Sequence, residues 1–221
     1  WPDGLVWKAT ARITENSRRG RYELFLKLTA PAKETTILDA GAGGDGQRAR
    51  NFLEYFYPYP DQITALGNDP EELMEMKKTF PKIKVVKGDV RKLPFTDQSF
   101  DVVFSNAVLE HTGGSIEQKS FLQECLRVGR RVFISTPARE FPIDPHTLIP
   151  FAHWLPLSIR NIVYRALGRG FWASKERLYP VSRGALSRLI KEMNGVRIIT
   201  KRIWGLPAVH IIVSGTPHTS L

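Results

Sequence analysis

Thr35-Thr36-Ile37-Leu38-Asp39-Ala40-Gly41-Ala42-Gly43-Gly44-Asp45-Gly46 is the stretch on which the reading of this chain turns. A short apolar run breaks there into a glycine-rich turn and resumes as Gln47-Arg48-Ala49-Arg50-Asn51-Phe52-Leu53, the order of a buried strand, a tight turn and a helix start. Glycines at 41, 43 and 46 lack the Cβ that blocks a positive φ or a close approach, so the backbone can turn sharply and lie against a ligand.

Charge decides which ligand. Turns of the form G-x-G-x-x-G hold the pyrophosphate of dinucleotides at a helix N-terminus, and others are plain strand-to-helix connections. Here Asp39 stands just before the turn and Asp45 inside it, and two carboxylates repel an anion. A nicotinamide-dependent oxidoreductase is disfavoured on that ground. S-adenosylmethionine suits the turn better, because it has no phosphate and carries a sulfonium and an ammonium that acidic groups attract.

Working outward, residues 5–30 read as a helical lead-in closed by Pro31, with Tyr22, Phe25, Leu26 and Leu28 on its apolar side. After the turn a helix carrying Phe52, Leu53, Phe56 and Tyr57 stops at Pro58 and Pro60. Ile63–Asp69 and Ile83–Asp89 read as strands ending on aspartates, and Pro70-Glu71-Glu72 opens a helix with acids where its dipole favours them. Phe100–Asn106 is a fourth strand, residues 115–128 a helix with Phe121, Leu122, Cys125 and Leu126 as its buried stripe, and Arg131–Thr136 a fifth strand closed by Pro137. Strands alternating with helices at this spacing imply right-handed βαβ units and a parallel sheet covered on both faces. Ligands of such sheets bind beyond the strand C-termini, where Asp39, Asp69, Asp89 and Asn106 all fall.

Residues 138–180 break this rhythm with a segment rich in proline and aromatics, from Phe141-Pro142-Ile143-Asp144-Pro145-His146 through Trp154 to Trp172. Within it Ile159, Ile162, Val163, Ala166 and Leu167 share one helical face and Arg160, Asn161, Tyr164 and Arg165 the other. Ser182 caps a helix expected to reach Met193. Val196–Trp204 and Ala208–Ser214 read as a C-terminal antiparallel hairpin separated by Gly205-Leu206-Pro207. The fold class is therefore α/β: a doubly wound, mostly parallel seven-stranded sheet with helices on both faces.

At 221 residues the chain suits one domain, 1–221, with 1–30 as lead-in and 138–180 as an inserted segment. It opens on Trp1 rather than methionine, as a trimmed or mature fragment would. Its single cysteine, Cys125, cannot form an internal disulfide and fits a core position in a reducing, cytoplasmic setting. The net charge of +10 is uneven: residues 127–202 hold 15 lysines and arginines against 4 acids, whereas residues 1–126 hold 17 against 18. Such a region attracts a phosphorylated substrate, nucleic acid or an anionic membrane, or else is a solvated face that aids solubility.

With these residues in hand, the chain resembles the class I S-adenosylmethionine-dependent methyltransferases, and within them the ubiquinone/menaquinone-biosynthesis-like type. The resemblance covers roughly residues 35–137 and rests on Ile37–Gly43, Asp69, Gly88-Asp89-Val90-Arg91-Lys92-Leu93-Pro94-Phe95 with Ser99–Val103, and Ser105–His111. It implies a Rossmann-like methyltransferase fold, with Asp69 on the ribose hydroxyls, Asp89 on the adenine amino group and the Val90 amide on a ring nitrogen. The cofactor-binding residues so implied are Asp39, Gly41, Ala42, Gly43, Asp69, Pro70, Asp89, Val90, Asn106 and Ala107, with S-adenosylhomocysteine as product. The chain departs from the family at position 45, which is Asp45 where a third glycine is usual, and between α-helix and fifth strand, where Arg127–Arg131 is shorter than the usual Pro-Gly-Gly turn.

Methyl transfer to a hydroxyl or amine also needs a proton acceptor. His111 and His146 are the candidates, with Glu110 third; no metal ligands are assigned. Residues 138–180 read as a lid over the methyl donor. Its helix either packs its apolar face on the domain or, with Phe151, Trp154, Phe171 and Trp172, rests on an anionic bilayer and meets an amphipathic or lipid-linked acceptor. The alternative to a methyltransferase of small-molecule or lipid-associated acceptors is a non-catalytic module of this fold that binds nucleic acid or an anionic surface through residues 127–202.

Overall fold

The computed structural model describes residues 19–43, 52–174 and 176–215. Of the lead-in, residues 19–29 form helix α1; its earlier part, and the expectations for Asp45 and Gly46, lie outside the described residues. The strands are β1 (Ile37–Ala40), β2 (Ile63–Gly67), β3 (Lys84–Lys87), β4 (Phe100–Asn106), β5 (Gly129–Pro137), β6 (Arg197–Ile203) and β7 (Leu206–Ser214). Between them lie α2 (Phe52–Phe56), α3 (Pro70–Thr79), α4 (Ser115–Val128), α5 (Leu157–Ala166) and α6 (Arg183–Leu189). They build one seven-stranded sheet in the order β3-β2-β1-β4-β5-β7-β6, parallel except where β7 pairs antiparallel with β5 and β6.

Alternation of side chains along each strand divides the core in two. Ile37, Ile63, Ala65, Val102, Phe104, Phe133 and Ile211 face α1 and α2, where Phe25 sets its ring edge-on against Phe104 and Phe133 at 5.2 and 5.5 Å. Leu38, Ala40, Leu66, Val103, Val132, Ile134 and Ile212 face Phe121, Leu122 and Cys125 of α4 and Leu186 of α6. Burial pushes the Cys125 thiol far above its ordinary range, so it stays an apolar core group. The central pair β1–β4 is pinned by Asp101, whose Oδ2 accepts from the Thr36 amide at 3.0 Å and the Thr36 hydroxyl at 2.9 Å.

Several boundaries differ from the sequence reading. β2 and β3 end two residues before Asp69 and Asp89, because Gly67 and Gly88 start the turns and each aspartate is used as a cap. β5 follows α4 directly at Gly129, with no turn between. Ser182 does cap α6, accepting from the Ala185 amide at 3.2 Å, but the helix ends at Leu189 in i→i+3 turns. The hairpin turn is only Trp204-Gly205, with φ of +50° and +78°, a two-positive-φ turn that matches strand twist and leaves Leu206 and Pro207 inside β7.

The largest difference concerns α5. It buries Arg160 and Tyr164, whereas Ile159 and Ile162 are 49% and 67% exposed. Tyr164 joins Ala152, Ala173 and Leu178 in a small core of the segment's own, and Arg160 donates to the Leu178 carbonyl at 3.1 Å with its guanidinium over the Tyr164 ring. The expectation that the apolar face packs on the domain is therefore reversed. The aliphatic face of α5 points outward, beside exposed Phe151, Trp154, Leu155 and Phe171.

Candidate functional site

A cleft of about 630 Å³ opens along the C-terminal ends of β1, β2, β3 and β4. Gly41, Ala42, Gly43, Asp89, Val90, Ala107 and His111 line it, as the sequence led one to expect, together with Gly67, Asn68, Glu72, Arg91, Glu117 and Glu176. A second depression of about 740 Å³, lined by Gln98, Arg127, Gly129 and Glu192, lies at the opposite end of the sheet, where strands of this fold class do not bind ligands.

Backbone shape makes the cleft floor. Gly41 has φ +91°, and the amides of Gly41 and Ala42 both donate to the Leu66 carbonyl at 2.8 Å, which folds the turn onto the end of β2. The approach is close enough that a Cβ on Gly67 would stand 2.2 Å from the Ala42 carbonyl oxygen, and one on Gly41 2.5 Å from the Val108 methyls. Ala107 adopts φ +56° at the end of β4 while its amide donates to the Ser135 carbonyl at 2.8 Å. That left-handed turn sets Ala107 and Val108 into the cleft wall.

The acids are distributed differently from the sequence reading. Asp39 is buried beneath the turn against Glu54, is not among the cleft-lining residues, and burial together with the Glu54 carboxylate pushes its pKa well above the usual range. Glu54, also raised by burial, shares this pocket, so two charges side by side are disfavoured there. Asp69 caps α3, its Oδ1 accepting from the amides of Glu71 and Glu72 at 2.8 and 3.3 Å, and neither it nor Pro70 lines the cleft. Asn68 and Glu72 line it nearby, and Glu72 Oε2 would stand 2.4 Å from a Cβ on Gly43. Asn106 turns away, accepting from the Ser135 hydroxyl at 2.8 Å. Asp89 does face the cleft, but the Arg91 guanidinium grips both its oxygens, at 2.6 Å for the shortest contact, and that hydrogen bond holds its carboxyl below the ordinary range. Among the described residues the cleft thus carries Glu72, Asp89, Glu117 and Glu176 against Arg91, a wall suited to a cationic ligand.

At one end of the cleft Glu110, His111 and His146 converge from either side of β5. Glu110 is 1% exposed; its Oε2 accepts from the Thr136 hydroxyl at 2.9 Å, while its Oε1 has no hydrogen-bond partner. His111 Nδ1 donates to the Arg177 carbonyl at 2.5 Å, and its Nε2 lies 3.0 Å from His146 Nε2. His146 Nε2 is 3.8 Å from Glu110 Oε1 and its Nδ1 3.3 Å from Asp144 Oδ1. Burial alone favours the neutral imidazole of His146, but Asp144 and the Glu110 charge outweigh it and raise its pKa. Trp172 packs on both rings, with centroids at 5.6 and 5.1 Å. Sequence reasoning named the three residues but gave no part in the cluster to Asp144, two residues before His146, or to Thr136, Trp172 and Arg177, which come from segments far apart in the chain.

Residues 38–131 match the family model described as a methyltransferase domain. The chain is 29% identical over 145 residues to a protein of Mycobacterium tuberculosis (strain H37Rv) described as a probable S-adenosylmethionine-dependent methyltransferase, covering 60% of this chain and 50% of that one. It is also 29% identical over 205 residues to the demethylmenaquinone methyltransferase of Roseiflexus castenholzii, covering 87% and 81%. Among solved structures, a SAM-dependent methyltransferase from Aquifex aeolicus superposes with a TM-score of 0.53 at 16% identity over 87% of this chain and 88% of that one. The chain spans about half the length of the curated relatives it matches first.

Proposed function

We propose that this chain, whose residues 38–131 match a methyltransferase-domain model, is a class I S-adenosylmethionine-dependent methyltransferase that moves a methyl group from S-adenosylmethionine to a small-molecule or lipid-associated acceptor. The observation that carries this reading is the acid-lined cleft built on the glycine turn at the strand C-termini. When bound there, the cofactor supplies a methyl group on a sulfonium, a leaving group that needs in-line approach and no covalent help from the protein. Gly41 to Gly43 offer the close backbone approach, Glu72 is placed to accept from a ribose diol, and the acids favour a cationic ligand over a pyrophosphate. Asp89 meets an amino donor only by sharing its oxygens with Arg91.

The acceptor then lies under residues 138–180, against His111, and the cluster of Glu110, His111 and His146 handles its proton. Thermal unfolding tests the cofactor. S-adenosylhomocysteine at a hundred times its dissociation constant adds about 2.7 kcal/mol, a rise of roughly 5–10 °C for a domain of this size, with NAD giving none. No shift with the first, or an equal shift with both, overturns the reading.

The outward aliphatic face of α5 supports a bilayer-associated acceptor. Exposed Ile159, Ile162 and Leu167 lie beside Arg165 and Arg169, the pattern of a helix resting in an interface of anionic lipid. Co-sedimentation with anionic vesicles at low salt tests this part. The nucleic-acid alternative draws less from the geometry, because several of the bases in residues 127–202 are engaged internally: Arg127 with Glu124 and Asp97, Arg160 in the small core, and Arg183 with Thr200.

A further inference from the structure

We infer that Glu110, His111 and His146 form a binding site for one divalent transition-metal ion at the acceptor end of the cleft. The inference rests on the methyltransferase reading only for what the ion would do, not for whether it binds.

The two imidazoles are prepared as ligands. His111 gives its Nδ1–H to the Arg177 carbonyl, so its Nε2 carries a lone pair. His146 Nδ1 lies 3.3 Å from Asp144 Oδ1, close enough for a small turn of the ring to make the hydrogen bond it lacks, and Asp144 in turn is fixed by accepting from the amides of His146 and Thr147 at 2.9 and 3.2 Å. A carboxylate or carbonyl behind a histidine is how proteins fix the tautomer that ligates through Nε2. The two Nε2 atoms face each other at 3.0 Å, where two lone pairs repel unless a proton or a cation stands between them.

A third atom decides between these. Glu110 Oε1 is buried, lacks any hydrogen-bond donor, and shares with the two nitrogens a space in which all three lie within 4.8 Å of one another. A buried carboxylate oxygen left without a partner is costly. A proton between the imidazoles satisfies two atoms and leaves that oxygen alone. A metal ion satisfies all three. Tetrahedral ligands about 2.0–2.2 Å from zinc stand roughly 3.3–3.6 Å apart, so the imidazole pair at 3.0 Å must open by a few tenths of an ångström and the Glu110 side chain must rotate inward. Thr136, donating to the other oxygen, holds that carboxylate in the outer layer.

Two imidazoles and one carboxylate select zinc, iron, cobalt or manganese over magnesium or calcium, and three protein ligands leave positions open, as in sites that act on substrates. His111 borders the cleft, so an acceptor hydroxyl can reach an open position. Bound there, its oxygen releases its proton to solvent more readily. The oxygen pair then forms the new bond to the methyl carbon, and the carbon–sulfur pair stays with sulfur.

The test is titration of tag-free, chelator-treated protein with Co²⁺, followed by visible absorption and displacement with Zn²⁺. One Co²⁺ per chain with ligand-field bands is expected, lost in His111→Gln and His146→Gln. Asp144→Asn leaves all three ligands in place and weakens Zn²⁺ binding about 10–100-fold. Circular dichroism reports whether each variant folds. Should the variants fail to fold, X-ray absorption of Zn²⁺-loaded wild type reads the ligands directly, with imidazole scattering expected. Absence of Co²⁺ binding at about 100 μM protein, binding unchanged in both histidine variants, or a zinc spectrum without imidazole overturns the site. A thermal shift with S-adenosylhomocysteine but no metal binding sinks this inference alone; metal binding without that shift sinks the methyltransferase reading alone.

Discussion

The two ends of the cleft are built on different principles. The glycine-turn end is shaped by backbone: Gly41, Gly67 and Ala107 bring three strand ends together, and the space they leave admits no added atom. The histidine end is shaped by side chains, with Glu110 and His111 each held by a partner from another segment and His146 set beside Asp144, two residues before it. A shape made by backbone fails abruptly when a methyl group is added. A site made by side chains degrades by degrees as its supports are removed.

Substitutions separate the two. Gly67→Ala drives a methyl group into the Ala42 carbonyl, and the expected cost is about 3 kcal/mol, seen as a fall in midpoint of roughly 6–12 °C. Thr136→Val keeps volume but takes the donor from Glu110, at about 2 kcal/mol by urea unfolding. If Thr136→Val cost more than Gly67→Ala, the contrast would be the wrong way round.

Glu54→Gln is expected to act less and in the opposite sense. The folded carboxyls of Asp39 and Glu54 have raised pKa values, so the stability they confer is present below the ordinary carboxylate value, about 4, and is lost as pH rises through the folded value. Stability of the wild type should therefore fall as pH rises above the ordinary carboxylate value, and the variant should flatten that slope and be the more stable at its upper end. A slope unchanged in the variant would show that this pair is not its source. Smallest of all, Ile162→Gln should change stability by under about 0.5 kcal/mol, whereas an inward-facing residue there would cost several times more.

That last contrast shows what the sequence carries and what it lacks. The bounds of β4 and α4 were legible to the residue, because a strand ending at Asn106 and a helix stripe of Phe121, Leu122 and Cys125 are local periodic signals, although Leu126, expected in that stripe, is only half-buried and Gln118 and Val128 are buried instead. The α5 periodicity was equally plain, but it says only that two faces differ. Which face is buried depends on what stands opposite, and here the Leu178 carbonyl and the segment's own small core accept Arg160 and Tyr164. Asp69 shows the same limit at one residue: an acid after a strand can serve a ligand or cap a helix, and in the fold its Oδ1 caps α3 while Glu72 lines the cleft. His111 and His146 stand 35 positions apart, so their meeting is a property of the fold and not of any local pattern.

The central position of β1 has a consequence for the order in which the chain assembles. β6 and β7 are neighbours in sequence and can pair on their own, but β1 pairs with β4 across 65 residues, through Thr36 and Asp101. Long-range pairing is the slow part of folding. The turn that follows β1 is anchored on β2 and walled by Val108 beyond β4, so it cannot take its shape until that pairing closes. In refolding from denaturant, the far-ultraviolet signal should recover before affinity for S-adenosylhomocysteine does, and the nascent chain should gain its cleft only after residue 106 has emerged.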